Sequence, residues 1–546
     1  MVEPELMEDL PVATPSRVRW LALAAVAILA AVAMLVRLVP VAPHPDRAVA
    51  SSSDGSVTIL AGQPQSIDPA HHGDLGSASY VSQLYESLTA VGPSLAVEPA
   101  LAASWRVTDN GTKVTFTLRD NLEFSDGTPL RASDVVHSWR RLFNATDPSP
   151  LASLIADVKG ARELLSGSST DTSTLGVSAP DDRSVVVDMV RGGGDLPAIV
   201  SGAPFAVVPP SVGDGEISPD PGKMVGSGAY TLASVSSTAF VLKANSHYWA
   251  GSPAIGTANM LITLGGNSPV DTFVAGDVDV TGVGWSDAGW LAYDRQLGPS
   301  LRSDPSLSVT YYGFDTRRAP FSDVRIRRAF AEAVDWRRLA NLDEPGSSVP
   351  ATGIVPAGMP GAPQGDFLPA FDPAAARQLL ADAGYPGGAG LPAVSFIADG
   401  GGYDEAIVAM LQANLGVKID YATMDFAAYQ QRLATDPPAL WSLSWVADYP
   451  GPNDFLGVLL GTGSTANQGG WSNADFDAAI SQATAAGNAA DALAAYTRAM
   501  QVVRDQVPVV PVSYGTSYSL VRSGLTGASQ SGTGILRLAG LAWASQ

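Results

Sequence analysis

One segment in the first third of the chain, residues 99–142, combines three local patterns whose order strongly constrains the fold. Apolar and polar residues alternate over residues 113–118, which predicts a half-buried β-strand. The sequence Asp-Gly-Thr-Pro at residues 126–129 predicts a turn, because glycine adopts backbone angles that other residues avoid and proline restricts its own. Ser133 precedes apolar residues at helical spacing and predicts the capped start of a helix.

The length and composition of the chain are those of a large, acidic, globular protein. Its 546 residues exceed what one ordinary core holds, so two or three lobes are expected. Hydrophobic residues make up 46% and charged residues 16%, as in a folded body rather than a disordered chain. The formal net charge of −21 repels nucleic-acid phosphates and argues against a nucleic acid as partner. The absence of cysteine excludes disulfides, thiolate catalysis, cysteine metal sites and attachment as a lipoprotein.

The N-terminal part of the chain predicts export from the cytoplasm. Residues 20–36 form an apolar run, and Arg17 and Arg19 before it favour a cytoplasmic N-terminus. Ala-Val-Ala at residues 48–50 fits a cleavage site, so the run is either an uncleaved signal anchor or a cleaved signal peptide. Both interpretations place the rest of the chain outside the membrane. The predicted parts are a cytoplasmic tail over residues 1–19, a helix over residues 20–41 and a tether over residues 42–53.

Several separated segments follow one another in an order typical of a single protein family. They are GSGAY at residues 226–230, AGDVDV at 275–280, YYGFDT at 311–316, WVADY at 445–449, WSNADFDAAI at 471–480 and VPVVPVSYGTSYSLV at 507–521. Together with the DGTP segment they resemble the family 5 extracellular solute-binding proteins, the peptide and nickel binders of ABC importers. The resemblance extends over about residues 57–525, and the WVADY segment is most similar to the oligopeptide-binding type.

The resemblance implies an α/β fold with two lobes that close on the ligand, the flytrap (type II-like) periplasmic-binding-protein fold, with an extra α/β domain inserted into the first lobe. Chain crossings between the lobes would act as a hinge, because they absorb backbone rotation while each lobe stays rigid. Transferred to this sequence, the resemblance predicts lobe I from residues 51–85, 206–308 and 513–546, the extra domain from residues 86–205 and lobe II from residues 309–512.

The resemblance also implies how the amine of a peptide would be bound. In the family, the Asp at the position of Asp448 pairs with the N-terminal ammonium of the ligand. A buried ammonium without a partner is costly, so this contact selects a free amine. Trp445, Val446 and Ala447 precede it, and the tryptophan would pack beside the ligand as an aromatic anchor. Without the resemblance, an Asp in such a loop is more typical of a turn or a helix cap than of a binding site, and a Trp is more typical of the core.

On the first lobe, the segment His72, Gly73, Asp74 and Leu75 matches a family strand that pairs with the peptide backbone. This sequence departs from the family at three positions. Ser442 stands where the family has an arginine that can meet a ligand carboxylate. Gly73 stands in place of an acidic residue of the first-lobe strand, and Leu151 in place of an aromatic residue of the extra domain. We therefore expect the amine end of the site to be retained and its carboxyl end to be altered.

Three tyrosines fall at or near aromatic positions that line the cleft in the family: Tyr311, Tyr312 and Tyr514. Each alternates with small residues on a predicted strand, a pattern that is equally typical of side chains packed in a core. Both interpretations stay open at this point.

The sequence supports a binding protein more than an enzyme. It contains no Gly-x-Ser-x-Gly or His-Glu-x-x-His motif and no cysteine. The predicted function is an extracytoplasmic receptor, monomeric and without a cofactor, that delivers short peptides to the permease of an ABC importer. Two alternatives stay open: the same fold binding nickel, haem, a glycolipid or another solute, and a regulatory relative that transports nothing. The chain contains only five histidines, and this small number weakens the case for nickel as the ligand.

Overall fold

The computed structural model describes residues 55–92, 94–342, 348–400, 402–530 and 532–544. The predicted cytoplasmic tail, N-terminal helix and tether lie outside these residues. Within the described ranges, no helix has both the length and the apolar character that crossing a bilayer requires.

Most of the described strands belong to one large mixed sheet. The strands are β1 (Ser56–Leu60), β2 (Thr89–Val91), β3 (Val97–Pro99), β4 (Ala102–Thr108), β5 (Lys113–Leu118), β6 (Val177–Ser178), β7 (Ser184–Asp188), β8 (Tyr230–Val235), β9 (Ala239–Ala244), β10 (Thr257–Leu261), β11 (Val280–Val283), β12 (Leu301–Phe314), β13 (Ser348–Pro350), β14 (Val394–Ala398), β15 (Ile419–Thr423), β16 (Leu440–Val446), β17 (Val509–Val521), β18 (Leu525–Thr526) and β19 (Ala542–Trp543). Among the described strands, the order in this sheet is β15-β14-β16-β12-β17-β11-β1-β10-β9-β8, and β13 also pairs with β17.

Helices cover the sheet and connect its strands. They are α1 (Leu75–Leu84), α2 (Ala132–Arg141), α3 (Ala161–Leu165), α4 (Leu196–Ile199), α5 (Pro269–Ala275), α6 (Trp285–Leu291), α7 (Val324–Glu332), α8 (Trp336–Ala340), α9 (Pro373–Asp382), α10 (Asp404–Leu415), α11 (Phe426–Thr435), α12 (Ala474–Ala485) and α13 (Ala489–Gln506). A π-helical turn covers Asp454–Val458.

A smaller antiparallel sheet, in the order β4-β5-β7-β6, is formed by the part of the chain predicted as the extra domain. Burial alternates along β5 as the sequence predicted, and Phe116 of this strand packs in one core with Trp139 of α2. The helix begins at Ala132, however, and Ser133 is not its cap. The amide of Arg131 donates to the Asp134 carboxylate at 2.8 Å, so Asp134 rather than Ser133 stabilises the first turn.

The GSGAY segment requires its glycines because its backbone lies very close to the backbone at the end of α1. A Cβ atom at Gly226 would lie 2.1 Å from the carbonyl oxygen of Leu84, and one at Gly228 would lie 2.3 Å from that of Gln83. The amide of Gly228 donates to the Leu84 carbonyl at 3.0 Å, next to the end of α1. Only glycine allows this contact, which attaches the end of α1 to the start of β8.

Two long strands join the halves of the large sheet. β17 pairs with the first part of β12 through Leu301–Leu520 and with its second part through Val309–Tyr514, and the register shifts between Pro305 and Val309. Separate hydrophobic cores lie on the two sides of this shift, one around β1, β8, β9 and β10 and others around β12, β14 and β16. The predicted lobe boundaries stay a prediction.

Candidate ligand-binding cleft

Two predicted segments that lie far apart in the chain come together at one cleft, whose volume is about 280 Å³. The predicted site residues that line this cleft are His72, Gly73, Asp74, Leu75, Val446, Ala447 and Asp448. Further lining residues come from the extra-domain part of the chain, including Leu151 and Leu154, and from the C-terminal Thr533, Ile535 and Arg537. Most of the lining is apolar, and only a few of its residues have ionisable side chains.

The first wall of the cleft is the start of α1. Asp74 is the N-cap of this helix, and its Oδ1 accepts a hydrogen bond from the Ser77 amide at 2.9 Å. The other oxygen, Oδ2, is buried and has no hydrogen-bond partner. His72 and Gly73 belong to no strand, because Asp74 already begins the helix. The expected first-lobe strand is therefore absent from residues 72–75.

His72 is a buried and unpartnered side chain on the same wall. It is only 2% exposed, and neither ring nitrogen has a hydrogen-bond partner in the described part of the chain. Burial lowers the pKa of His72 to about 4, although the negative charges of Asp74 and Asp68 act in the opposite direction. The imidazole is therefore neutral near neutral pH, with one nitrogen able to donate and the other able to accept.

The second wall follows the end of β16 and presents Asp448. The Ala447 amide donates to the Leu307 carbonyl at 2.8 Å, which attaches this wall to β12. The Asp448 side chain is exposed to the cleft, and its carboxylate has no partner among the described residues. The cleft walls still displace much of the surrounding water, and this burial raises the pKa of Asp448 above that of an ordinary aspartate. When ionised, a carboxylate placed in this way can accept hydrogen bonds from a cation.

A second acid, Asp454, lies behind this wall. Its Oδ2 accepts hydrogen bonds from the indole Nε1 of Trp445 at 2.8 Å and from the Asp448 amide at 3.3 Å. Trp445 is half-buried and does not line the cleft, and its indole contacts Asp454 instead of serving as the expected aromatic anchor. The alternation of β16 explains this placement, because Val446 faces the cleft and its neighbour faces away.

The C-terminal segment brings the cation of the cleft, Arg537. Its Nη2 donates to both carboxylate oxygens of Glu86 at 2.9 Å, and the Tyr248 hydroxyl donates to the same carboxylate. The Glu86 charge raises the pKa of Arg537, although burial acts in the opposite direction. The segment is attached to α1, since Gln83 donates to the Leu536 carbonyl at 3.0 Å. The charge of Arg537 is thus already balanced within the protein.

The three tyrosines proposed as cleft residues lie in hydrophobic cores, which corrects that expectation. Tyr311 and Tyr312 are 1% and 2% exposed, and Tyr514 is 5% exposed. The Tyr312 hydroxyl donates to Asp404 at 2.7 Å, and the Tyr514 hydroxyl donates to the Gly353 carbonyl at 2.9 Å. The hydroxyls of Tyr312 and Tyr514 are thus hydrogen-bonded inside the protein, and none of the three tyrosines lines the cleft.

Sequence reasoning missed Arg537 and the whole C-terminal wall. Arg537 belongs to no motif, and its partner Glu86 lies at the other end of the chain. Leu307 connects the C-terminal segment to the wall that carries Asp448. Its amide donates to the Gly532 carbonyl and its carbonyl accepts from the Ala447 amide, both at 2.8 Å. A chain contact of this kind leaves no local signal in the sequence.

Within the described ranges, no group of three or more His, Asp or Glu side chains is placed to hold a metal ion. A model of the bacterial extracellular solute-binding proteins, family 5 Middle, matches residues 96–467. The chain belongs to this family of solute-binding proteins. The expected family is thereby confirmed, and so is a binding protein rather than an enzyme.

Relatives within family 5 resemble the chain over most of its length. The periplasmic murein peptide-binding protein MppA of Escherichia coli (strain K12) is 27% identical over 504 residues, which cover 88% of this chain and 92% of MppA. The probable deoxycholate-binding periplasmic protein YgiS of the same organism is 29% identical over 476 residues, covering 84% of this chain and 88% of YgiS.

A solved structure extends the likeness to the fold. The unliganded open form of the murein tripeptide binding protein MppA has a TM-score of 0.80 to this family 5 chain at 25% identity, and the match covers 91% of this chain and 98% of that chain. The expected mixed α/β fold is confirmed.

Proposed function

We propose that this family 5 protein is the extracytoplasmic receptor of an ABC importer and captures short peptides with a free N-terminal amine. Asp448 receives the ammonium group of the ligand, and Val446 offers its backbone to the peptide, while the Ala447 amide stays bonded to the Leu307 carbonyl. The apolar remainder of the cleft accommodates side chains of different sizes. The permease then accepts the solute from the closed receptor, which acts as a monomer.

The observation that carries this proposal is the unpaired carboxylate of Asp448 in the cleft. A carboxylate that lies in an apolar cleft without a counter-ion destabilises the empty protein, as its raised pKa indicates. A ligand ammonium removes this cost, because it donates hydrogen bonds and balances the charge. A negatively charged solute would meet the same carboxylate and be repelled.

Binding is coupled to closure of two lobes, with the boundaries given above, around the β12–β17 pair. Support comes from the register shift between Pro305 and Val309, where the ladder of the two long strands is interrupted. Bulges of this kind bend a strand and weaken its pairing locally. The likeness to the open, unliganded form of MppA is in keeping with an open resting state. Either a signal anchor or a cleaved signal peptide would bring the receptor to the outer side of the membrane.

A second candidate ligand is an amphipathic, non-peptide solute. It is favoured by the similarity to the probable deoxycholate-binding protein YgiS and by the apolar lining of the cleft. Deoxycholate carries a carboxylate, however, and Asp448 would oppose it. The cleft therefore favours a solute with an amine.

The test is a binding titration of the full chain, kept in detergent, with di- to octapeptides. Each peptide is used with a free and with an acetylated N-terminus, and deoxycholate is added to the series. Free peptides are expected to raise the melting temperature with concentration, because they bind the folded state only. Acetylated peptides should bind far more weakly, since acetylation removes the positive charge.

Asp448→Asn is the matched variant, and Asp420→Asn on the exposed face of β15 is its control. Loss of the carboxylate should weaken binding of the free peptide by about 3–5 kcal/mol and abolish the preference over the acetylated form. The control should bind like the original chain. Equal affinities for free and acetylated peptides in the original chain would refute the role of Asp448, and binding of deoxycholate alone would refute the peptide assignment.

A further inference from the structure

The wall formed by the start of α1 contains two buried polar groups with unused hydrogen-bonding capacity. Among the residues that the structure describes, Oδ2 of Asp74 has no hydrogen-bond partner, and neither has either ring nitrogen of His72, which is 2% exposed. Buried polar atoms in native proteins are nearly always hydrogen-bonded, so two exceptions at one place call for an explanation. Both residues line the cleft, so a bound ligand could supply the partner.

The chemistry of these groups defines what they can bind. Oδ2 of Asp74 is a charged acceptor, and the N-terminus of α1 stabilises that negative charge. The neutral ring of His72 offers one further acceptor beside it. An ammonium group carries three donors and no acceptor, and a guanidinium carries five. A cationic side chain therefore satisfies both groups at once, whereas a carboxylate would be repelled by Asp74.

The charge balance of the cleft gives the same result independently. The charged side chains in its lining are Asp74, Asp448 and Arg537. Glu86 already neutralises Arg537 through hydrogen bonds of 2.9 Å to both carboxylate oxygens. Two negative charges are left without a counter-ion, and the terminal ammonium of a peptide balances only one of them. A second positive group on the ligand would balance the other.

We propose that Asp74 and His72 form a second cationic subsite, which receives a basic side chain of the ligand, so that the protein selects short basic peptides. This inference rests on the proposed function, in which Asp448 receives the terminal amine. Asp74 has two roles at this position: one oxygen caps α1 and the other contacts the ligand. His72 supplies the additional acceptor that holds the cationic group against the wall.

Calorimetric titration of the full chain with matched alanine tripeptides tests this subsite. The peptides carry lysine, norleucine or glutamate at the second or third position and have free N-termini. Lysine and norleucine differ mainly in charge, so their affinity ratio reports the subsite rather than apolar contact. At one of the two positions the lysine peptide is expected to bind at least about tenfold more tightly than the norleucine peptide. The glutamate peptide should bind most weakly.

Asp74→Asn removes the charge and keeps the helix cap, because asparagine and aspartate are about equally good N-cap residues. This variant should keep its melting temperature without ligand and should bind the lysine and norleucine peptides with similar affinity. Asp425→Asn is the control, since Asp425 caps α11 through the Ala428 amide at 3.1 Å and does not line the cleft. It should retain the preference for lysine.

The outcomes separate this proposal from the one on which it rests. If all the peptides bind the original chain and lysine has no advantage, the cationic subsite is refuted and the role of Asp448 is untouched. The subsite is equally refuted if Asp74→Asn retains the full preference for lysine. If none of the free peptides binds the original chain, the peptide-receptor function itself is refuted.

Discussion

The buried carboxyl group of Asp454 accepts a hydrogen bond from the indole Nε1 of Trp445 at 2.8 Å. The same oxygen accepts a hydrogen bond from the Asp448 amide at 3.3 Å, so the buried side chain of Asp454 supports both Trp445 and Asp448. Asp454 is 0% exposed, and its second oxygen has no partner. Burial, together with the charge of Asp448, raises the pKa of Asp454 well above its usual range.

The first prediction concerns this support. A protonated Asp454 is close in shape and charge to asparagine, so Asp454→Asn should bind peptides like the original chain near neutral pH. Asp454→Ala removes the acceptor of both N–H groups and should weaken peptide binding by about 1–3 kcal/mol. Calorimetry measures both variants, and the asparagine variant serves as the control. Equal losses in the two variants would contradict a role as a neutral acceptor.

The second prediction concerns the pH dependence of binding. Burial raises the pKa of Asp448, and only its ionised form can balance a ligand ammonium. Affinity for a free peptide should therefore fall as the pH is lowered through this raised pKa, and binding at that pH should release protons. Titration in buffers of different ionisation enthalpy measures the release. Asp448→Asn should abolish it, and release that persists in this variant would assign the protons to Asp454 or His72 instead.

The third prediction uses Asp195, whose carboxylate oxygens both lie 3.3 Å from the Tyr496 hydroxyl. Burial raises the pKa of Asp195 to about 6, while hydrogen bonds from Tyr496 and Asn453 act in the opposite direction. The folded state therefore binds this proton more tightly than the unfolded state. Its stabilising contribution is complete below the unfolded pKa of 3.8 and is lost as the pH rises through about 6.

Asp195→Asn should consequently gain stability relative to the original chain across that window, by up to about 3 kcal/mol. The surroundings of Asp195 contain Tyr496, Tyr449 and a second acid, Asp454. Urea unfolding of both proteins at about pH 4 and about pH 7.5 gives the difference in free energy. A difference that does not change between the two pH values would contradict the raised pKa of Asp195.

The fourth prediction concerns the ion pair between Asp68 and Arg141, which are 0% and 3% exposed. The guanidinium donates to the two carboxylate oxygens at 3.1 and 2.7 Å, and this joins the segment before α1 to helix α2. Arg141→Met leaves a buried carboxylate without its main partner and should reduce the free energy of unfolding by about 3–5 kcal/mol.

The double variant Asp68→Asn with Arg141→Met is the control for that prediction. It removes both charges and should recover part of the lost stability, because no buried charge is then left unpaired. Urea unfolding at neutral pH compares the three proteins. A double variant less stable than Arg141→Met would show that Asp68 stabilises the fold through its other partners, the amides of Ala70 and Ile217 and the ring of His71.

Local patterns in the sequence predicted local structure well. The alternation over residues 113–118 is β5, and the Asp-Gly-Thr-Pro turn precedes α2, as expected. These features depend on neighbours in the chain, whose spacing decides which side chains share a face. The start of α2 was missed by two residues, because the helix is capped at Arg131 and Asp134 inside the first turn takes the role expected of Ser133.

Tertiary placement was harder to predict for the tyrosines than for the acids. Alternation along β12 and β17 shows that Tyr311 and Tyr514 face one side of a sheet, and a core and a cleft impose the same pattern. The family resemblance favoured the cleft, and the structure puts both side chains in cores. Asp448 was predicted as a cleft residue because its loop keeps the family pattern. In the structure it lines the same cleft as residues 72–75.

Short-range patterns and contiguous motifs were enough to predict the family and the local elements, because each depends on neighbours in the chain. The folded chain alone shows that Glu86 neutralises Arg537 and that Asp454 supports Trp445 and Asp448. It also shows that Oδ2 of Asp74 and the ring of His72 have no hydrogen-bond partner among the described residues. The balance of charge and hydrogen bonds in a cleft is a sum over residues distant in the chain, and their distances exist only once the chain has folded.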